Sequence, residues 1–178
     1  MTDTAALRVA DLPQNAPTSF DLAPDAAARA AIAQELAITA LRKLRFAGTL
    51  RAQGKRNWLL TGTLGATVVQ PCVVTLEPVT TRLDVPVHRL FLADYHDPEA
   101  EEAEMPEDDN TEPLGAHIDP QAVMIEALAL ALPLYPRADG AALGEAVYTE
   151  PGKVPIRDED TKPFAGLAAL RDAMKDEE

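Results

Sequence analysis

Through the middle of the chain apolar and polar residues alternate with period two in three successive segments, the pattern of strands with one buried and one wet face. The first, "ITALRKLRFAGTLRA" (38–52), sets Leu41, Lys43 and Arg45 on one side against Leu44 and Phe46 on the other. Gly54 in "GKRN" supplies a turn into "WLLTGTLGATVVQPCVV" (58–74), rich in Thr, Val and Leu, whose two glycines predict a bulge or a close backbone approach. A second turn at "LEPVT" leads to "TRLDVPVHRLFLADY" (81–95), where Leu83, Val85, Val87 and then Phe91 alternate with polar residues. Three such segments joined by short polar turns predict an antiparallel meander with one basic, solvated face.

On either side the period changes to that of helices. Pro24 and Asp25 suit a first helical turn, and Ala28, Ile32 and Leu36 recur every fourth residue, which predicts a helix over 24–36. "IDPQAVMIEALALALP" predicts another, with Asp119 as N-cap and Pro120 at the first helical position. Val123, Met124, Ala127, Leu128 and Ala131 make one stripe, while Ile125, Ala129 and Leu132 nearly close the circle, so this helix is expected to be largely buried. Pro133 and Pro136 end it. "LRVADLP" reads as a short opening strand stopped by Pro13. Near the C-terminus, Phe164, Leu167, Leu170 and Met174 fall at helical spacing, a tail helix that needs a surface on this body or on a partner. The predicted fold class is α+β: an antiparallel meander packed with two or three helices, plus the tail helix. The predicted organisation is one domain over 1–136 containing a mobile acidic loop at 97–116, a linker over 137–162 rich in Gly, Pro and charge, and the amphipathic tail at 163–178.

Charge sharpens this picture more than composition does. The net charge is −13, which by itself discourages contact with phosphate. Its distribution is polarised: Leu36 to Leu76 contains no acid but carries Arg42, Lys43, Arg45, Arg51, Lys55 and Arg56, whereas Leu90 to Pro136 contains twelve acids and no Lys or Arg. Either the two blocks attract each other within one domain, or the basic block is a surface for RNA or a ribosomal partner that the acidic loop screens. Apolar residues make up 47%, enough for a core in a 178-residue chain, though aromatics are only 4%. A single cysteine fits a reducing compartment. With no charged-then-apolar leader and no apolar run of roughly 20 residues, the expected setting is soluble and cytoplasmic.

Few residues offer chemistry. Cys72 is flanked by Pro71, Val73 and Val74, has no histidine within fifteen residues, and is followed three positions on by Thr75 rather than a second cysteine. A nucleophile needs a base and a zinc site needs several thiolates or imidazoles, so Cys72 reads as a core residue. His88, His96 and His117 show no ligand spacing, and His96 with Asp97 adjoins the acidic run. That run lacks the ordered carboxylates and glycine of a calcium loop. No phosphate-binding glycine loop, nucleophile elbow or metalloprotease motif occurs. The expectation is a non-enzymatic protein with no catalytic residues, no cofactor and no metal.

Three segments in order and in similar spacing, "VVQPCVVTLEPV", "IDPQAVMIEALALALPLYPRADG" and "KPFAGLAALRDAM", resemble the YceD family, the large ribosomal RNA subunit accumulation proteins or domain of unknown function 177. "QPCVVTLEPV" is similar to the alphaproteobacterial form, and the likeness runs over most of the chain. The resemblance implies a bacterial, non-enzymatic role in ribosome biogenesis, in the accumulation of the large-subunit (23S) ribosomal RNA. Many members carry Cys-x-x-Cys where this chain has Cys72 and Thr75, and some add a His and a Cys after the Pro-x-x-Pro, near Ala138 and Leu143 here. It follows that any zinc site of such relatives cannot be assembled in this chain, and that Cys72 is a remnant of the pattern serving as core.

Two modes of action remain open. In one, the protein binds a ribosomal RNA precursor or a large-subunit ribosomal protein, with Arg42, Lys43, Arg45, Arg51, Lys55 and Arg56 as phosphate contacts and Trp58, with Phe46, as the stacking candidates. In the other, residues 97–112, nine acids and no base, make it an adaptor or chaperone that holds a basic ribosomal protein without touching RNA.

Overall fold

The computed structural model describes residues 6–95, 110–142, 150, 152 and 153. Internal contacts divide the chain after Gly140 into two units, and every described helix and strand lies in the first, residues 1–140. In chain order the elements are β1 (Leu7–Arg8), a 3-10 turn (Val9–Asp11), β2 (Thr18–Leu22) and α1 (Ala26–Glu35). The long strands β3 (Ala40–Gln53), β4 (Asn57–Pro71) and β5 (Pro78–Leu92) follow, then β6 (Thr111–Pro113), β7 (His117–Ile118) and α2 (Pro120–Ala131). A five-stranded sheet runs β2-β3-β4-β5-β6, antiparallel except for the last pair; β1 and β7 form a small separate ladder.

Alternation builds the sheet. Leu44, Phe46 and Leu50 of β3 face the same side as Trp58, Leu60, Leu64, Ala66 and Val68 of β4, all buried. The register sets Phe46 opposite Leu64, Leu50 opposite Leu60 and Trp58 opposite Phe91, so same-face neighbours pack across strands. Gly62 makes room for an aromatic ring: a Cβ there would stand 2.8 Å from Cε2 of Phe46. Phe46 and Phe20 then pack with their rings tilted, centres 5.0 Å apart and planes at 51°.

Helix α1 starts where Asp25 accepts a 2.8 Å bond from the Ala28 N–H, and it packs on β3 with Ile32 and Ala33 in the core. Helix α2 starts where Asp119 accepts from the Gln121 N–H at 2.8 Å, with Pro120 at the first position. It lays Val123, Met124, Ala127 and Leu128 on β4 and β5, completing one continuous core. Burial of a leucine such as Leu128 contributes on the order of 2 kcal/mol.

The α+β class and the meander stand as expected, and two helices occur in the predicted stretches, although Asp25 caps α1 and Pro24 precedes it rather than both lying in its first turn. Five details differ. Thr18–Leu22 is a fifth strand, too short for its Phe20 and Leu22 alternation to stand out. Leu41 does not share a side with Lys43 and Arg45: the register slips between Leu41 and Lys43, so Arg42 is the extra residue of a bulge and Leu41 turns into the core. Helix α2 is not largely buried: one side lies on the sheet and the other leaves Leu130 exposed. The end of the predicted acidic loop is ordered, Thr111–Pro113 pairing with Leu90–Leu92. The start of the predicted linker also belongs to the first unit, Pro136 and Ala138 being hydrogen-bonded to the β4–β5 turn. Residues 97–109 and the tail at 163–178 lie outside the described residues.

Candidate nucleic-acid interface

Because β3, β4 and β5 bury one set of alternate residues, the other set is fixed on the opposite face. β3 contributes Lys43, Arg45, Thr49 and Arg51; β4 contributes Thr61, Thr63, Gly65 and Thr67; β5 contributes Thr80, Arg82, Asp84 and His88. Asp21 joins them from β2. The register defines transverse rows: Lys43, Thr67 and Arg82 in one, Arg45, Gly65 and Asp84 in the next, Thr49, Thr61 and His88 further along. The threonines of the last row lie 3.3 Å apart at their Oγ1 atoms. Lys55 and Arg56 sit at the β3–β4 hairpin tip, beyond the sheet end, and Arg42 is at the bulge.

The candidate basic residues therefore divide. Arg45 is forked to Asp21, Nε to Oδ1 at 2.9 Å and Nη2 to Oδ2 at 2.7 Å, and Arg56 meets Asp94 at 3.0 Å. The Arg45 fork holds the Asp21 carboxyl below its ordinary range. Arg42, Lys43, Arg51 and Lys55 are exposed, and among the described residues no carboxylate pairs with them. Trp58 is a correction: only 1% exposed, it fills the core opposite Phe91 and offers no ring to a base, and Phe46 is equally buried. A β4 residue paired with Ala52 belongs to the apolar set, whatever its value in stacking.

Sequence reasoning passed over two arginines. Arg82 stands two residues before Asp84 in an alternating strand, a spacing that puts both on one face, where Nε and Nη2 donate to the carboxylate at 2.9 and 2.6 Å. Arg89 interrupts the apolar series Leu83, Val85, Val87, Phe91 and is correspondingly buried, 7% exposed. Its Nη2 donates to Glu126 of α2 at 2.7 Å, while its Nε lies 3.1 Å from Glu112 of β6 without hydrogen-bond alignment.

At the β4–β5 turn the chain folds tightly around Cys72. The Cys72 N–H donates to Glu77 O at 2.7 Å and the Leu76 N–H to Cys72 O at 3.0 Å, with Leu76 at φ 62°. The Cys72 sulfur accepts N–H bonds from Val74 and Thr75 at 3.4 Å and from Ala138 at 3.3 Å. The Val73 N–H donates to Pro136 O at 2.9 Å, and the Gln70 side chain to Pro133 O at 3.2 Å, so residues 133–138 are stitched along the turn.

The sequence model of the family described as "Large ribosomal RNA subunit accumulation protein YceD" matches residues 60–171. The chain belongs to the YceD family. Comparison with curated proteins and with solved structures gives no match. The match begins within β4, so the β3 and hairpin cations precede it, whereas Gly65, Arg82 and Asp84 fall inside it. The zinc implied by relatives does not fit this YceD-family chain. One sulfur is the sole soft donor, Thr75 and Ala138 occupy the neighbouring positions, and that sulfur is already engaged by three N–H groups. Among the described residues no three His, Cys, Asp or Glu side chains are grouped to hold a metal, and no described helix is long and apolar enough to cross a membrane.

Proposed function

We propose that this YceD-family protein acts in the cytoplasm as a non-enzymatic factor in large-subunit ribosomal RNA accumulation, binding RNA through the open face and hairpin tip of its sheet. One observation carries the reading: Lys43 and Arg51 project from alternate positions of β3 to the same exposed side, Lys55 continues beyond the strand end, and none has a carboxylate partner among the described residues. Such a line of free cations on a threonine-rich face suits a phosphate backbone rather than particular bases. With both candidate aromatics in the core, the binding mode is backbone-tracking and electrostatic rather than stacking.

Filter retention of large-subunit ribosomal RNA fragments is expected to fall linearly with salt on logarithmic axes, by about 0.7 per phosphate neutralised for single strands. Reversing Arg51, Lys55 and Arg56 to Glu together is expected to abolish retention. Unchanged retention would show that the cations serve the fold alone.

A second reading, an adaptor for a basic ribosomal protein, has its own support. Leu76 is held at φ 62°, unusual for a bulky residue, and is exposed together with Val73, Leu130, Leu134 and Tyr135. Hydrogen bonds bring the 133–138 segment beside the turn that carries Val73 and Leu76. Strain kept at an exposed leucine suits a protein contact. Affinity capture with residues 97–109 deleted, which leaves β6 in place, separates the readings, since loss of a ribosomal protein favours the adaptor.

A further inference from the structure

The open face contains a depression of about 440 Å³ bordered by Lys43, Arg45, Thr63, Gly65, Arg82 and Asp84. Its floor is a glycine in mid-strand, a position where glycine weakens a sheet and so asks for a reason. A Cβ at Gly65 would lie 2.9 Å from Nη2 of Arg82 and 3.3 Å from Oδ1 of Asp84. The Arg82 guanidinium, rooted on β5, thus rests across β4 on bare backbone. Asp84 fixes it there through Nε and one N–H of Nη2. A guanidinium has five N–H donors, so the fork leaves the two of Nη1 and the second of Nη2 unassigned by any bond to the carboxylate. Lys43 occupies the same transverse row as Arg82 and has no carboxylate partner among the described residues. Arg45 borders the depression too, but its guanidinium is forked to Asp21 on β2, the side away from Gly65.

We propose that Lys43 and Arg82, across the Gly65 floor, form a subsite for one phosphodiester group of RNA. The proposal rests on the RNA-binding reading above and locates a preorganised contact within it. A carboxylate-fixed guanidinium meets phosphate without ordering itself, which spares the entropy that a free surface arginine loses. Lys43 adds a mobile point charge from the opposite wall. The remaining cations, Arg51, Lys55 and Arg42, then act as sequence-tolerant guides along the strand.

The test uses the full-length, isotope-labelled chain with three titrants at matched ionic strength: a single-stranded RNA tetranucleotide, inorganic phosphate and sodium chloride. The Gly65 amide and the Arg82 Nε–H resonances are expected to move saturably with the first two and not with the third. Arg82→Gln and Lys43→Gln are each expected to lower tetranucleotide affinity about tenfold, the loss of one charge-assisted contact, and to reduce the salt slope by close to one phosphate's worth. Gly65→Ala is the discriminating variant, since it keeps every charge, crowds the ends of the forked Arg82 and Asp84 side chains, and is expected to weaken binding several-fold. If Gly65→Ala and Arg82→Gln bind like the unaltered protein while the Arg51, Lys55 and Arg56 reversal does not, the subsite is wrong and the RNA reading stands. If the unaltered protein retains no RNA, that reading fails, and the subsite is then judged by phosphate alone: no movement of Gly65 and Arg82 beyond chloride overturns it. Stronger binding of an acidic peptide than of RNA at the same resonances also overturns it.

Discussion

Cys72 shows how hydrogen bonding decides what a buried thiol is. The Thr75 hydroxyl, the Ala138 N–H and the further N–H groups of the turn bring its pKa down from 9.0 to about 6, against the upward pull of burial. Between those values the unfolded chain holds a proton that the folded one does not, so stability rises with pH across the interval; it is complete above 9.0 and lost as pH falls through about 6. Thiolate ultraviolet absorbance of the folded protein is expected to rise with a midpoint near 6, absent in Cys72→Ser, and the stability difference between the two proteins is expected to widen from pH 6 to 9. Bulky thiol reagents are nonetheless expected to react slowly until the protein unfolds, because the sulfur is fully buried. Leu76, in the same turn, tests strain. Leu76→Gly relieves a left-handed bulky residue, and the gain, less the extra freedom glycine has when unfolded, is expected to be about 0.5–1 kcal/mol in urea denaturation. The sequence showed that Cys72 is core, since no partner for catalysis or zinc lies in reach. It could not show the full set of donors, because one of them, Ala138, is 66 residues away and arrives only through the fold.

At the level of elements, Arg89 ties three of them together, reaching from β5 to β6 and α2. The ion pairs are asymmetric: the Arg89 side chain is 8% exposed, whereas those of Glu112 and Glu126 are 37% and 46% exposed. Glu126→Ala strips a charge-assisted bond from a group almost out of water and is expected to lower stability by roughly 1.5–3 kcal/mol. Arg89→Met fills the same space with apolar atoms and leaves two carboxylates free to rehydrate, so it is expected to lose less than Glu126→Ala in parallel denaturation curves. The reverse order would place the energy of this junction in packing of the arginine stem. Elements with many repeats of their period were legible in the sequence: β3, β4, β5 and both helices follow from alternation, caps and prolines. Short elements were not, because β2, β6 and β7 depend on strands that arrive from elsewhere to complete their hydrogen bonds. The bulge at Arg42 was also hidden, since a single extra residue is invisible until the register with Val68 and Thr67 is known. The open-face site was half legible: Lys43, Arg45 and Arg51 follow from period two, but Arg82 gains its meaning only from Gly65 beneath it.

For the whole molecule the question is how a chain of net charge −13 approaches RNA. Residues 97–109 hold eight acids and no base, so converting those eight to their amides takes the net charge from −13 to −5 without changing length. Long-range repulsion acts on the encounter more than on the bound contacts, and is screened over about 10 Å at 0.1 M salt. If the open face binds RNA, the amide variant is expected to associate several-fold faster at low salt, with dissociation little changed and the difference gone at high salt, as read by stopped-flow fluorescence. If the acids instead hold a basic ribosomal protein, the same variant loses that partner and gains nothing toward RNA. The two outcomes cannot both follow from one role of the acidic segment. Arg56 with Asp94 is one ion pair between the basic and acidic blocks, and at 66% and 69% exposure it is a weak surface contact, while Arg42, Lys43, Arg51 and Lys55 have no carboxylate partner among the described residues. The basic half of that polarity is therefore not consumed by this domain's own folding among the described residues, and the rate experiment asks which partner it serves.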